Sequence, residues 1–234
     1  DRFFADPRFW TSEQKERFSH WLSRKHAEET IDQVARDRVT PLPESGPKPE
    51  IGDTTYLCVA DADGNIVSWI QSVFHPFGAG FIVPGTGIIM NNRMTGFSTD
   101  AQAPNYLQPG KRTVHTLNSW MVLRDGRPWL VGGTPGAERQ IQTNVQVLRG
   151  RLVRKTGLAE SLHAPRWMID DQDRVAVEAR GPADLRRRLE RAGHEVVRIG
   201  PWGGSGFVQA LERLDGGGWI ASTDPRGEGQ ASGI

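Results

Sequence analysis

The stretch Asp53-Thr54-Thr55-Tyr56-Leu57-Cys58-Val59-Ala60-Asp61, followed by Ala62-Asp63-Gly64-Asn65, decides how this chain is read. A pair of hydroxyls stands at the mouth of an apolar strand that runs directly into a tight turn. Asp-Gly followed by Asn is strong hairpin chemistry, because these residues tolerate positive φ or bond their own backbone. The strand reads as buried, which would hold a hydroxyl on its first residue rigidly with the side chain at the opening. Such a placement suits a nucleophile. A threonine hydroxyl becomes one when a neighbouring base takes its proton, and an N-terminal threonine can use its own α-amino group. By itself Thr54 is more often a strand residue chosen for β propensity, so its surroundings decide.

Working outward, the spacing predicts strands over 54–61 and 65–73, a Gly-rich loop over 77–87 and short strand signals near 88–91. A second hairpin pairs Leu117–Leu123 with Trp129–Val131 across Arg124-Asp125-Gly126-Arg127. Helical spacing runs from about Glu138 to Arg149, with Gly150 placed to end it. Further on come a strand near 174–178, a helix near 182–192, and strands near 195–199, 205–213 and 218–222. Antiparallel sheets with helices packed outside fit this order. Residues 1–53 differ. Thr11 and Gln14 fit a capping box preceded by Pro7, and helical periodicity continues through Phe18, Trp21, Leu22, Ile31 and Val34 to about Arg38. The proline-rich stretch Pro41 to Pro49 then reads as an exposed linker ending beside Thr54.

The 234 residues carry a formal net charge of +1, so nothing points to nucleic acid or an anionic membrane as partner. The basic run Leu185-Arg186-Arg187-Arg188-Leu189-Glu190-Arg191 reads as the solvated face of a short helix whose apolar stripe is Leu185, Leu189 and Ala192. The single cysteine, Cys58, excludes an internal disulfide framework and reads as a small core residue, leaving the redox compartment and localisation undecided. No apolar run is long enough to cross a bilayer. Histidines and carboxylates lack ligand spacing, so neither metal nor other cofactor is expected. The first residue is Asp1 rather than Met, which reads as a fragment or a processed chain.

From Thr54 onward the chain resembles the small subunit of the gamma-glutamyltranspeptidase family of N-terminal-nucleophile hydrolases. The resemblance rests on ordered landmarks: Thr54-Thr55, Asp61-Ala62-Asp63-Gly64-Asn65, Phe77-Gly78-Ala79-Gly80, Gly85-Thr86-Gly87-Ile88 and Asn91-Asn92. It continues through Pro109-Gly110-Lys111-Arg112, Gly132-Gly133-Thr134-Pro135-Gly136-Ala137, Ala164-Pro165-Arg166 and Asp224-Pro225-Arg226. It implies an α+β fold, the four-layer αββα sandwich, with residues 54–234 as the small catalytic subunit. Residues 1–53 would be the tail of the large subunit, the remainder of which would precede them in the precursor and associate tightly. It also implies self-cleavage between Asp53 and Thr54, giving Thr54 as catalytic nucleophile. The freed amine, with an unperturbed pKa of about 7.7–8.0, would serve as base.

The same resemblance assigns the oxyanion donors to the backbone N–H groups of Gly136 and Ala137. The family usually has glycine at the second position; Ala137 keeps the N–H, so the role survives if its φ is ordinary. Ser72 matches the threonine that orients the nucleophile, and β pairing puts it level with Thr54 on the returning strand. His115 and Thr116 fall where the family contacts the substrate's carboxylate end, although His115 reads equally as a structural histidine. His75 has no family counterpart and sits in a loop that can line a pocket. The positions that hold a substrate α-ammonium in the family read here Phe74, Arg93 and Gly96. A cation repels an ammonium and the carboxylate partner is gone, whereas an arginine fork favours planar anions. The implied substrate is a small-molecule amide with a carboxylate-bearing or apolar acyl group and no free α-amine. Alternatives are a dicarboxylic acylase or carbon–carbon bond hydrolase of specialised metabolism, a catalytically silent binding homologue, or an Arg93 that merely points to solvent.

Overall fold

The computed structural model describes residues 5–34, 38–39 and 53–233. The expected proline-rich linker, Pro41 to Pro49, lies outside the described residues. Strand β1 (Asp53–Ala60) and β2 (Ile66–Phe74) form the hairpin that the Asp-Gly-Asn turn predicts, with Asp61 accepting from the Asn65 backbone N–H at 2.8 Å. Period-two alternation buries only one face of it. Tyr56 points inward, while Leu57, Val59, Val67 and Trp69 are exposed on the outer face. The expectation of a fully buried strand is therefore corrected: apolar alternation fixed the strand, but this chain covers one side.

The main sheet has the order β3-β4-β8-β9, all antiparallel, built from β3 (Ser119–Arg124), β4 (Arg127–Gly133), β8 (Gln209–Arg213) and β9 (Trp219–Thr223). Helices α3 (Arg139–Leu148) and α4 (Leu158–His163) help enclose the core of Leu130, Val147, Leu158, Leu162, Val208 and Ala210. Full burial of these side chains stabilises the layer by roughly 1.5–3 kcal/mol for each large one. The β1–β2 hairpin packs on the same sheet through Tyr56. A Cβ at Gly133 would lie 2.6 Å from the Tyr56 ring, so glycine there is what lets β1 approach β4.

A third sheet, β5-β6-β7, comprises β5 (Trp167–Ile169), β6 (Val175–Glu178) and β7 (Val196–Ile199). Strands β6 and β7 are parallel, joined through α5 (Ala183–Arg191), so the purely antiparallel expectation fails at this crossover. Leu185 and Leu189 are half-buried and Arg186, Arg187 and Arg188 exposed, as the solvated-face reading required. Gly150 does not end α3; the chain continues as a π-helical turn over Arg149–Val153, and Gly150 lets Ser161 come close, its Oγ 3.1 Å from where a Cβ would lie. The strand signals near 88–91 reduce to an isolated bridge between Ile82 and Ile89. Near the N-terminus the Thr11–Gln14 capping box forms, but two helices replace one: α1 (Ser12–Trp21) and α2 (Arg24–Gln33). Ser23, whose Oγ accepts the His26 backbone N–H at 3.1 Å, starts the second.

Candidate active site

Thr54 is the second residue of β1 and pairs with Ser72 on β2, the register that the hairpin length predicts. The chain is continuous through Asp53, and the ladder slips between Asp53 and Thr54, where Asp53 faces Phe74. Opposite the slip, Phe74 has φ 81°. A bulge and a non-glycine residue in the left-handed region thus meet at the bond proposed for cleavage. Irregularities of this kind concentrate where a strand must re-aim a side chain. Ser72 Oγ accepts the Phe74 backbone N–H at 2.9 Å, which fixes the serine hydroxyl on the side of the slip.

Beyond Phe74 the corner is tied by a residue that the sequence reading quoted only as a landmark. Asn92 accepts from the His75 backbone N–H at 3.0 Å, and its side-chain nitrogen lies 3.1 Å from His75 Nδ1. The Asn92 N–H also donates to the Val73 carbonyl at 3.1 Å. An asparagine just beyond a Gly-rich loop, whose side chain can bond nearby backbone, is the signal that marks such a brace. The brace delivers Arg93. Its guanidinium lies 5.2 Å from the centre of the Phe74 ring, and Nη1 donates to Thr116 Oγ1 at 2.9 Å. Arg93 Nη2 is buried with no hydrogen-bond partner among the described residues. Burial holds the Arg93 pKa below the usual arginine value. In this chain Arg93 therefore does not simply point to solvent: Nη2 is covered and Nη1 is held by Thr116.

Gly96 completes the group: its Cβ position lies 4.0 Å from Phe74 Cζ and 3.0 Å from Thr113 Oγ1. Asn105, buried and also unmarked in the sequence reading, donates to the Gly96 carbonyl and holds this turn. Phe74, Arg93, Gly96 and Thr116 therefore form one cluster. His115 is exposed beside it, and His75 stacks on Phe74 at 4.6 Å between ring centres.

The Gly132–Ala137 loop leaves the end of β4 and enters α3. Gly136 has φ 131° and Ala137 φ 49°. The condition that Ala137 keep an ordinary φ is not met, because the turn into α3 demands a left-handed residue there. An alanine in that region costs roughly 1–2 kcal/mol. The loop is held from behind. Thr134 Oγ1 accepts the Phe207 N–H at 2.8 Å, Thr143 Oγ1 donates to the Ser205 carbonyl at 3.1 Å, and Gln140 Oε1 accepts the Asn118 N–H at 3.0 Å. These three side chains are buried and hydrogen-bonded, as burial of polar groups requires.

Arg166 anchors the same 205–207 segment, donating from Nη1 to the Ser205 and Gly206 carbonyls at 3.2 and 3.1 Å. It also pairs with Asp224. Arg226 joins Glu178 at 2.6 Å and Asp224 at 3.0 Å, all four side chains essentially without solvent access. The two Pro-Arg landmarks are thus an ionic core. A cavity of about 380 Å³ lies between β1 and the β8–β9 face, and Thr54, Pro135, Phe207 and Ser222 line it. Cys58 lines the same space; burial first, with a weaker opposing bond to Tyr56, pushes its thiol up to about 11.

The fold is that of N-terminal-nucleophile hydrolases. The gamma-glutamyltranspeptidase family model matches residues 1–234, and the chain belongs to that family. It is 35% identical over 193 residues to a glutathione hydrolase-like YwrD proenzyme of Bacillus subtilis, covering 80% of this chain and 37% of the relative. An oxamate amidohydrolase proenzyme of Klebsiella pneumoniae is 36% identical over 189 residues, covering 78% and 36%. A cephalosporin acylase structure from Bacillus halodurans superimposes with TM-score 0.81 at 33% identity, over 97% of this chain and 40% of that one. The chain spans little more than a third of the length of these two curated relatives.

Proposed function

We propose that this chain is the catalytic portion of an amidohydrolase or acyltransferase that cuts itself between Asp53 and Thr54 and then acylates Thr54. The observation that carries the reading is Thr54 at the head of β1, in register with Ser72 and on the wall of the cavity that Pro135 also lines. In the uncut chain the Thr54 nitrogen is an amide with no basicity. Attack of its hydroxyl on the Asp53 carbonyl transfers the acyl group from nitrogen to oxygen, and water then hydrolyses the ester. This frees a carboxylate on Asp53 and an α-amine on Thr54. That amine takes the hydroxyl proton during substrate attack and returns it to the leaving amine, a role worth roughly 10²–10⁴-fold. The left-handed φ that Ala137 adopts is one a glycine there would take freely, so in this reading its N–H still joins that of Gly136 toward the tetrahedral oxyanion, where one donor is typically worth about 2.7–4 kcal/mol.

The acyl pocket is read from Arg93. A half-buried fork with one arm on Thr116 and the other, itself buried, without a partner among the described residues suits a carboxylate and repels an α-ammonium. The apolar Phe74 ring lies beside that fork, 5.2 Å from the guanidinium. The name of the Klebsiella relative points the same way, since oxamate is an amide whose acyl group carries a carboxylate and no α-amine. The preferred donors are therefore short dicarboxylic monoamides. The exposed apolar face of Leu57, Val59, Val67 and Trp69 is covered, in this reading, by the rest of the same precursor. Residues 1–53 then belong to its large-subunit tail and 54–234 to the small subunit.

Mass spectrometry of the mature protein should find a chain beginning at Thr54, and Thr54→Ala should abolish both cleavage and turnover. Amides differing only at the α-carbon test the pocket: glutaryl amides should outrun gamma-glutamyl amides, and the reverse order would overturn the specificity.

A further inference from the structure

Among the described residues, one group of metal-type ligands converges, and it lies at the junction of α1 and α2, away from Thr54. His20, His26 and Glu29 bring one ligand atom each to within 4.8 Å of one another. We propose that these three side chains bind a divalent cation of the zinc type, tying the last turn of α1 to the first turns of α2. The inference does not rest on the hydrolase reading.

The junction is constructed around Ser23. Its backbone N–H donates to the His20 carbonyl at 2.9 Å, and its hydroxyl accepts the His26 N–H at 3.1 Å. One residue therefore fixes the backbone of both histidines. Glu29 follows His26 by three positions, so both side chains stand on one face of α2. His20 Nε2 already lies 3.7 Å from Glu29 Oε2, and the two imidazoles are 5.0 Å apart between centres. The stacked Trp21 ring, 12° from parallel, braces the plane of His26. Lys25 Nζ sits 3.8 Å from Glu29 Oε1, which orients the carboxylate and leaves Oε2 toward the histidines.

Zinc–nitrogen and zinc–oxygen bonds of roughly 2.0–2.2 Å put tetrahedral ligand atoms about 3.4 Å apart. Small rotations of half-exposed side chains close the remaining distance. Two imidazoles and a carboxylate select a borderline cation over Mg²⁺ or Ca²⁺, which prefer all-oxygen shells. Two neutral rings and one carboxylate bring a single negative charge to the dication. The fourth position is left to water.

The test uses the whole chain with any affinity tag removed, titrated with Zn²⁺ by calorimetry and with Co²⁺ by visible absorption. One equivalent should bind, and Co²⁺ should give the d–d bands of a four-coordinate site. His20→Ala and His26→Ala should each weaken binding by about tenfold or more, since even outer partners of a metal ligand typically cost 10–100-fold. His194→Ala should leave it unchanged. X-ray absorption of the zinc-loaded wild type reads the ligands without any substitution: two imidazoles plus oxygen support the site. No saturable binding, a sulfur ligand, or unchanged affinity in the His20→Ala/His26→Ala double variant would overturn it.

Discussion

At Ala137 a single side chain is at odds with its backbone. A φ of 49° in a non-glycine residue is stored strain, held by the turn from β4 into α3. Ala137→Gly should keep the N–H and stabilise the protein by about 1 kcal/mol, measured as a raised denaturant midpoint. Ala137→Val should lower it, because branching worsens the same clash. At Arg93 the expected effect is on catalysis. Arg93→Gln should reduce kcat/KM for a carboxylate-bearing amide by about 10–100-fold, as loss of a charged hydrogen bond worth roughly 1.5–3 kcal/mol implies. Its effect on an uncharged acyl amide should be small, and equal losses on both would remove Arg93 from the acyl pocket. Cys58, with its thiol pushed up to about 11 mainly by burial, should resist thiol reagents at neutral pH until the protein unfolds.

Among the elements, the β1–β2 hairpin and the Gly132–Ala137 turn have to meet, and Tyr56 on Gly133 is the contact that joins them. Gly133→Ala should destabilise by about 1–3 kcal/mol through overpacking and should slow self-cleavage. Its check is the rate at which a chain starting at Thr54 accumulates. The hairpin itself was legible, because alternation and an Asp-Gly-Asn turn are local signals. So was the Thr54–Ser72 register, which follows from strand length. Gly150 reads as a helix stop but serves close packing against Ser161, a contact that no window of sequence contains. Asn92 stood only as a landmark and Asn105 carried no signal; they brace Arg93 and Gly96 through partners up to 17 residues away. His20, His26 and Glu29 escaped a spacing search because they are divided between two helices joined by a turn.

For the molecule as a whole, the buried ionic core sets the acid limb of stability. Burial alone would raise the Glu178 pKa, but bonds from Arg226 and from the Arg166 and Gly204 N–H groups outweigh it and hold it below the usual carboxylate value. Folded protein therefore binds fewer protons here than unfolded protein, and stability rises with pH across this range. The contribution is complete above the unfolded value of about 4.3 and is lost as pH falls through the lowered folded one. Denaturation midpoints should drop steeply below about pH 4.5. Glu178→Gln should be less stable at pH 7, with a shallower acid slope. Asp224→Ala leaves Arg166 and Arg226 short of a buried partner and should cost roughly 3–5 kcal/mol. The sequence by itself determined the hairpins, the α+β order and the family, because turn chemistry, periodicity and motif order act over short spans. Only the tertiary structure decided that Arg93 lies beside Phe74, that Ala137 is left-handed and that this chain leaves the outer face of β1–β2 uncovered. Those depend on which distant surfaces pack together, and packing is decided by contacts that lie far apart along the chain.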